Sequence, residues 1–190
     1  MGFDSSFLSV ARHIVLLRGV NLVKRNRVSM PTLRSALEAA GYHDVRTYLQ
    51  SGNIVVSSRA SAERVTRDVK KLVKERFGLD IAVFVRSADD LAKVVRRNPL
   101  HSVATNPRRY LVTFLSRPLP AGIADELAKL ATGEKLVVAG REVYSWHPEG
   151  IGRTPVWERL ASRSLGVEAT SRNWTTVETL LAMATERTSR

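Results

Sequence analysis

The strongest constraint on this chain is an order of elements that occurs twice. The apolar run Ile14 to Leu17, closed by Arg18-Gly19, reads as a buried strand, and a polar cationic loop follows from Asn21 to Val28. Ser29 is placed to cap a helix with Pro31 in its first turn, Leu33, Ala36, Leu37 and Ala40 at helical spacing, and Gly41 as its stop. Val45 to Gln50 and Asn53 to Ser57 are β-rich runs separated by Ser51-Gly52, the length of a tight hairpin turn. From Ala60 to Phe77, the residues Val65, Val69, Leu72, Val73 and Phe77 share one helical face, and Gly78 ends it. Ile81 to Arg86 is a strand, and Ser87 caps a helix that stops at Asn98-Pro99.

The second half repeats this order. Tyr110 to Leu115 is a strand, Ala121 to Ala131 a helix, and Leu136 to Ala139 with Glu142 to Trp146 a hairpin around Gly140-Arg141. Thr154 caps a helix with Pro155 at its first position, expected to run to Gly166; Val167 to Ser171 is a weak strand and Trp174 to Glu186 a helix. Two βαββαβ units with trailing helices predict an α+β fold of two tandem ferredoxin-like units, each with an antiparallel sheet covered by helices on one face. The first unit is expected over residues 1–104 and the second over 105–190, with the linker at about 97–109, where Asn98-Pro99 and Asn106-Pro107 lie.

A content of 44% hydrophobic residues is enough for a core, and the chain has no cysteine, hence no disulfide, thiolate nucleophile or Cys-based metal site. No apolar run reaches the ~20 residues of a membrane span, and the start of the chain does not read as a secretory signal, so a cytoplasmic setting is expected. Met1-Gly2-Phe3-Asp4-Ser5-Ser6 fits the loose myristoylation pattern, which the Arg-rich, bacterial-type composition argues against.

Charge narrows the partners. The net charge is +12 and the pI near 10.8. Residues 1–104 hold 18 Lys and Arg against 9 Asp and Glu, whereas 105–190 hold 12 against 9, so a polyanion meets the first unit first. Lys24, Arg25 and Arg27, with the helical stripe Arg67, Lys70, Lys71 and Lys74, are the candidate polyanion contacts; a solvated helix face is the alternative explanation of that stripe.

Catalytic signatures are missing. His13, His43, His101 and His147 are scattered without ligand spacing, so no metal site and no cofactor is expected, and there is no P-loop, dinucleotide fingerprint or nucleophile elbow. Asp89 and Asp90 sit in a first helical turn, where negative charge complements the helix dipole. Four loop clusters remain: Arg18-Gly19-Val20-Asn21, Gln50-Ser51-Gly52-Asn53, Gly150-Ile151-Gly152-Arg153-Thr154 and Arg172-Asn173-Trp174-Thr175. They offer hydrogen-bond donors and no carboxylate, which suits an anion or the polar edge of a base. Arg18, Asn21, Gln50, Ser51, Asn53, Arg153, Arg172, Asn173 and Trp174 are therefore the candidate ligand residues. Structural readings stand beside each: a Thr-Pro cap at Thr154, a hairpin turn at Ser51-Gly52, and a core anchor at Trp174 with Asn173 as helix cap.

With Leu17 to Asn21, Tyr48 to Val55, Gly150 to Arg153 and Arg172 to Val177 in this order and spacing, the chain resembles the bacterial domain-of-unknown-function family 1697 from Ile14 to about Met183. The resemblance implies a duplicated α+β fold and brings no activity or catalytic residue. The chain departs from that family's pattern twice: Leu22 to Asn26 stand where two glycines are usual, and Thr154-Pro155 where Ser-Lys is usual. The expected function is binding of nucleic acid or a nucleotide-like anion through the basic first unit and the loop clusters. The alternative is a small-molecule enzyme acting on an anionic substrate in the groove between the units.

Overall fold

The computed structural model of the chain describes residues 10–22, 26–152 and 154–186. Lys24, Arg25, Arg153 and the Met1–Ser6 pattern lie outside them. The first half runs β1 (Ala11–Leu17), α1 (Met30–Ala39), β2 (His43–Tyr48), β3 (Asn53–Ser58), α2 (Ala62–Phe77), β4 (Val83–Ser87) and α3 (Ala88–Arg97). The second runs β5 (Tyr110–Leu115), α4 (Ile123–Leu130), β6 (Lys135–Ala139), β7 (Glu142–Trp146), α5 (Pro155–Ala161), β8 (Ala169–Asn173) and α6 (Trp174–Thr185). The halves form separate four-stranded antiparallel sheets, ordered β2-β3-β1-β4 and β6-β7-β5-β8. This is the ferredoxin-like order in both, and the sheets do not pair edge to edge.

Helix starts follow local chemistry. The side chains of Ser29, Ser61, Ser87, Thr154 and Asn173 each accept from a backbone N–H in the first turn of α1, α2, α3, α5 and α6, satisfying donors that the helix leaves unpaired. The helix after Thr154 stops at Ala161, short of Gly166. Ser162 is extended, and its hydroxyl accepts from the Ser164 N–H, opening a short 3₁₀ turn over Arg163–Leu165 that buries Leu165.

The expectation that helices cover one face of each sheet is corrected: both faces are covered. On the outer face of the first sheet, Val15, Leu17, Ile54 and Val85 pack on Leu33 and Leu37 of α1 and Val65, Val69 and Val73 of α2. On its inner face, Ile14, Leu16, Val55 and Phe84 meet Leu91 and Val94 of α3 and Val177, Leu180 and Ala184 of α6, which also pack against Tyr110, Val112, Phe114 and Tyr144 of the second sheet. Leu115 and Val143 face outward against Leu127 of α4 and Val156 and Leu160 of α5. The layers are thus helices, sheet, the two trailing helices, sheet, helices. The cause is in the strands: Ile14 to Leu17 is apolar at consecutive positions, so both faces of β1 must leave water. Each fully buried Leu, Ile or Phe contributes about 1.5–3 kcal/mol, and the shared middle layer ties those gains to both units together.

The trailing helices cross between halves. At the end of α6, the carbonyl of Met183 accepts from Arg46 and Arg12, and Arg46 pairs with the Glu186 carboxylate at 2.8 Å. Cations from the first unit thereby satisfy the carbonyl end of a helix from the second. No helix among the described residues is long and apolar enough to cross a membrane.

Candidate functional site

The β2–β3 turn sits where two backbones approach closely. Gly52 has φ +73°, and a Cβ there would lie 2.7 Å from Leu17 Cβ and Val20 Cγ2. Leu17 N–H donates to the Gly52 carbonyl at 2.8 Å. Asn21, itself at φ +54°, donates from Nδ2 to the carbonyls of Val28 and Gln50 at 2.9 and 2.6 Å and accepts from Val28 N–H at 2.9 Å. Its amide braces the β1–α1 loop against the hairpin, and the Gln50 side chain is exposed beside it.

Across from this turn stands Arg172 on β8. Its Nε–H donates to Asn53 Oδ1, Nη1 donates to Thr170 Oγ1 and the Ser171 carbonyl, both at 2.8 Å, and Nη2 donates to the carbonyls of Leu17 and Ser51 at 2.9 and 3.2 Å. All five guanidinium N–H groups therefore meet neutral acceptors. The side chain has no carboxylate partner among the described residues, and burial pushes its pKa down to about 10, which leaves it charged at neutral pH. Asn53 is wholly buried and completes its own bonding by donating to the Tyr48 carbonyl at 3.1 Å and Ser51 Oγ at 2.9 Å.

The other half contains the matching position with a different charge. Arg86 pairs with Ile14 in the first sheet as Arg172 pairs with Val112 in the second. Arg86 donates from Nη2 to the Leu115 carbonyl at 3.0 Å and the Arg141 carbonyl at 3.3 Å, and from Nη1 to the Val85 carbonyl at 3.2 Å, as Arg172 does with Leu17, Ser51 and Ser171. Its Nε, however, meets the carboxylate of Glu142 at 3.0 Å, where Arg172 meets an amide. Glu142 pairs with Phe114 as Asn53 pairs with Leu16, so the two partners are equivalents. The duplication thus extends from element order to individual hydrogen bonds. One crossing point is an internally neutral ion pair; the other is an uncompensated cation.

Arg172 borders a cleft of about 450 Å³ between the units. Arg18, Gly19, Leu22, Leu49, Ser51, Trp157, Ala161, Thr170, Ser171, Asn173 and Thr176 are among its lining residues, and none of those described is acidic. Leu22 and Leu49 are 61% and 59% exposed, and with Trp157 they give the cleft an apolar lip. Arg18 lies at its edge: Nη1 bonds the Glu168 carboxylate and Nη2 donates to the Ala161 carbonyl at 3.1 Å.

Of the sequence candidates, the structure brings Arg18, Ser51, Arg172 and Asn173 to this cleft, with Asn53 directly behind Arg172 and Asn21 and Gln50 bracing its wall. Trp174 goes elsewhere. Its indole is buried and stacks on Tyr110 at 4.8 Å between centroids and 15° between planes, leaving no face for a base. Asn173 Oδ1 accepts from Thr176 N–H at 2.9 Å and is spent as the cap of α6. The basic stripe on α2 is partly neutralised: Lys70 pairs with Asp80 at 3.2 Å and Lys71 with Glu75 at 3.8 Å, while Arg67, Lys74 and, apart from them on the β1–α1 loop, Arg27 are exposed. Leu22, Leu49, Trp157 and Thr170 are cleft residues that sequence reasoning did not nominate, as is Glu168, which pairs with Arg18 at the cleft edge. Large apolar side chains in the turns at Leu22 and Leu49 were the available signal. Among the described residues no cluster of His, Asp and Glu could hold a metal ion.

Comparison with known proteins adds the family. The solved structure of a conserved bacterial protein from Streptococcus pneumoniae has the same fold, with a TM-score of 0.74 at 20% identity over 93% of this chain and 99% of that one. No curated protein matches the chain. The family described as Protein of unknown function (DUF1697) matches residues 10–144, which include the whole first sheet, the hairpin at Gly52 and the start of β7 with Glu142. The chain belongs to the DUF1697 family.

Proposed function

We propose that the cleft between the units binds a nucleotide-like organic anion, one acidic group carried on an apolar or aromatic body. The observation that carries this reading is the uncompensated Arg172 guanidinium beside a cleft lining without an acidic side chain, while its equivalent Arg86 is neutralised by Glu142. A half-buried charge that the protein itself does not balance favours an incoming counter-charge. Leu22, Leu49 and Trp157 supply the apolar surface for the rest of the ligand. The described lining also holds no Asp, Glu, His or Cys for proton transfer or nucleophilic attack, which supports binding as the cleft's role.

Nucleic acid is the weaker partner. The inner sheet face that ferredoxin-like folds use for RNA is buried in the middle layer, and two of the four stripe cations on α2 have acidic partners.

Calorimetric titration with adenosine 5′-monophosphate, and with 8-anilinonaphthalene-1-sulfonate as a generic aryl anion, tests the reading. Saturable one-to-one binding that weakens about tenfold in Ser51→Asp, where a carboxylate stands on the cleft wall, is the expected result. Absence of saturable binding by both probes, or binding indifferent to Ser51→Asp, overturns it.

A further inference from the structure

We infer that Glu168 is an exchangeable stand-in for the ligand's acidic group, and that Arg18 is the residue that grips that group once Glu168 lets go. The inference rests on the cleft reading above and goes beyond it by naming the contact residue, the displaced group and the shape of the ligand. Arg172 supplies charge, yet its five N–H groups are all committed to protein acceptors, so it has no donor left to give. Arg18 is the other guanidinium on the cleft, and its arrangement is the opposite. Its side chain is 24% exposed, and its charged partner is a carboxylate that is itself 58% exposed. Exposed ion pairs of this kind contribute little net stability, so an incoming anion replaces one at little cost.

Glu168 is built to leave without disturbing the fold. Its carbonyl accepts from Ser116 N–H at 2.9 Å, and this bond, the counterpart of Arg18 N–H to the Ala82 carbonyl at 3.0 Å, holds the backbone whether or not the side chain stays on Arg18. The carbonyl of Ala161 keeps a second hold on Arg18 Nη2, so the guanidinium stays at the cleft edge when the carboxylate departs.

Arg18 also stands between two spaces. Arg18, Gly19 and Ala161 line both the cleft and a neighbouring hollow of about 590 Å³, whose wall further includes Asn26, Asp80, Arg163 and Glu168. The cleft is cationic with apolar lips; the hollow carries both signs of charge and a more polar wall. Departure of Glu168 frees the guanidinium of Arg18, which borders both. The ligand that fits both has its acidic group on Arg18, an aromatic or aliphatic body against Leu22, Leu49 and Trp157, and a hydrogen-bonding extension reaching toward Asn26, Asp80 and Arg163. A nucleoside monophosphate supplies the acidic group and the aromatic body.

Titration of adenosine 5′-monophosphate against wild type, Glu168→Gln and Arg18→Gln tests the exchange, with circular dichroism checking each fold. Glu168→Gln is expected to bind about two- to fivefold more tightly, because the competitor for Arg18 is gone, and Arg18→Gln at least tenfold more weakly. In the wild type, the ¹³Cδ resonance of Glu168 is expected to move to the position of a free carboxylate on saturation, a readout that needs no variant. Unchanged or weaker binding by Glu168→Gln, or a stationary Glu168 resonance, overturns the exchange. If wild type binds and Ser51→Asp does not, the cleft reading survives that result; if wild type does not bind, both fall.

Discussion

Arg172 on β8 and Asn53 on β3 meet at one crossing between the two halves, and Arg86 on β4 and Glu142 on β7 meet at the equivalent crossing. The substitution of an amide for a carboxylate at one of two equivalent positions leaves one interface closed in charge and the other open. Asn53 answers a local need as well. Its amide donates to the Tyr48 carbonyl and Ser51 Oγ, bonds that a carboxylate cannot make, so the tight hairpin and the open charge have one cause.

Glu142→Gln leaves Arg86 buried, 4% exposed, without its counter-charge. Loss of one partner of a buried pair costs about 3–5 kcal/mol, softened here because three carbonyls and the Phe114 ring, 5.5 Å from the guanidinium carbon, remain. A loss of about 2–3 kcal/mol in urea unfolding is expected; a change below 0.5 kcal/mol, the range of an ordinary surface substitution, would show that the pair contributes little.

Gly52→Ala puts a methyl group 2.7 Å from Leu17 Cβ and Val20 Cγ2 in a backbone region at φ +73°. Strain and overpacking add to about 2–4 kcal/mol, and the probe affinity of the cleft is expected to fall with stability, since the same turn presents Ser51. Thermal melting and titration of one preparation check both effects.

The tryptophans separate core from site. Trp174→Ala empties a buried, stacked position and is expected to cost about 3–5 kcal/mol, with Trp174→Phe restoring most of it. Trp157 lines the cleft, so ligand is expected to change its fluorescence, and Trp157→Phe to abolish that change while leaving the fold intact. A ligand-dependent signal that persists in Trp157→Phe places the ligand elsewhere.

His13 and His147 give stability a pH dependence. Both are buried, and burial lowers both pKa values below the usual histidine range, opposed at His13 by the Ala60 backbone and the Glu63 carboxylate and at His147 by the Glu134 carboxylate. The unfolded chain therefore binds protons that the folded chain refuses. Their contribution is fully present above the unfolded value of about 6.5 and is lost as pH falls through it toward the lower folded value, at up to about 1.4 kcal/mol per pH unit for each histidine. His147→Gln is expected to flatten this slope between about pH 5 and 6.5; urea unfolding across that range measures it. A slope identical to wild type would mean that His147 is protonated without penalty.

The duplicated element order, the helix caps and the hairpin were legible in the sequence because each is decided within a few residues. Ser29, Ser87, Thr154 and Asn173 bond their own first turns, and Tyr110 to Leu115 is a strand in sequence pattern and in structure alike. The unbroken apolar run Ile14 to Leu17 also requires cover on both faces of its strand. What the sequence could not state is which partner each long side chain finds. Arg86 and Arg172 are each one basic residue in a strand, and Glu142, Asn53 and Glu168 each one polar residue at a strand end or loop. Only the packing of two sheets around α3 and α6 brings them together from 56 to 150 positions apart, and the same packing decides that Trp174 is core, that Arg172 is uncompensated and that Arg18 faces a cleft. Local structure follows from bonds between near neighbours; charge balance is summed over neighbours in space, and those are set only when the chain has folded.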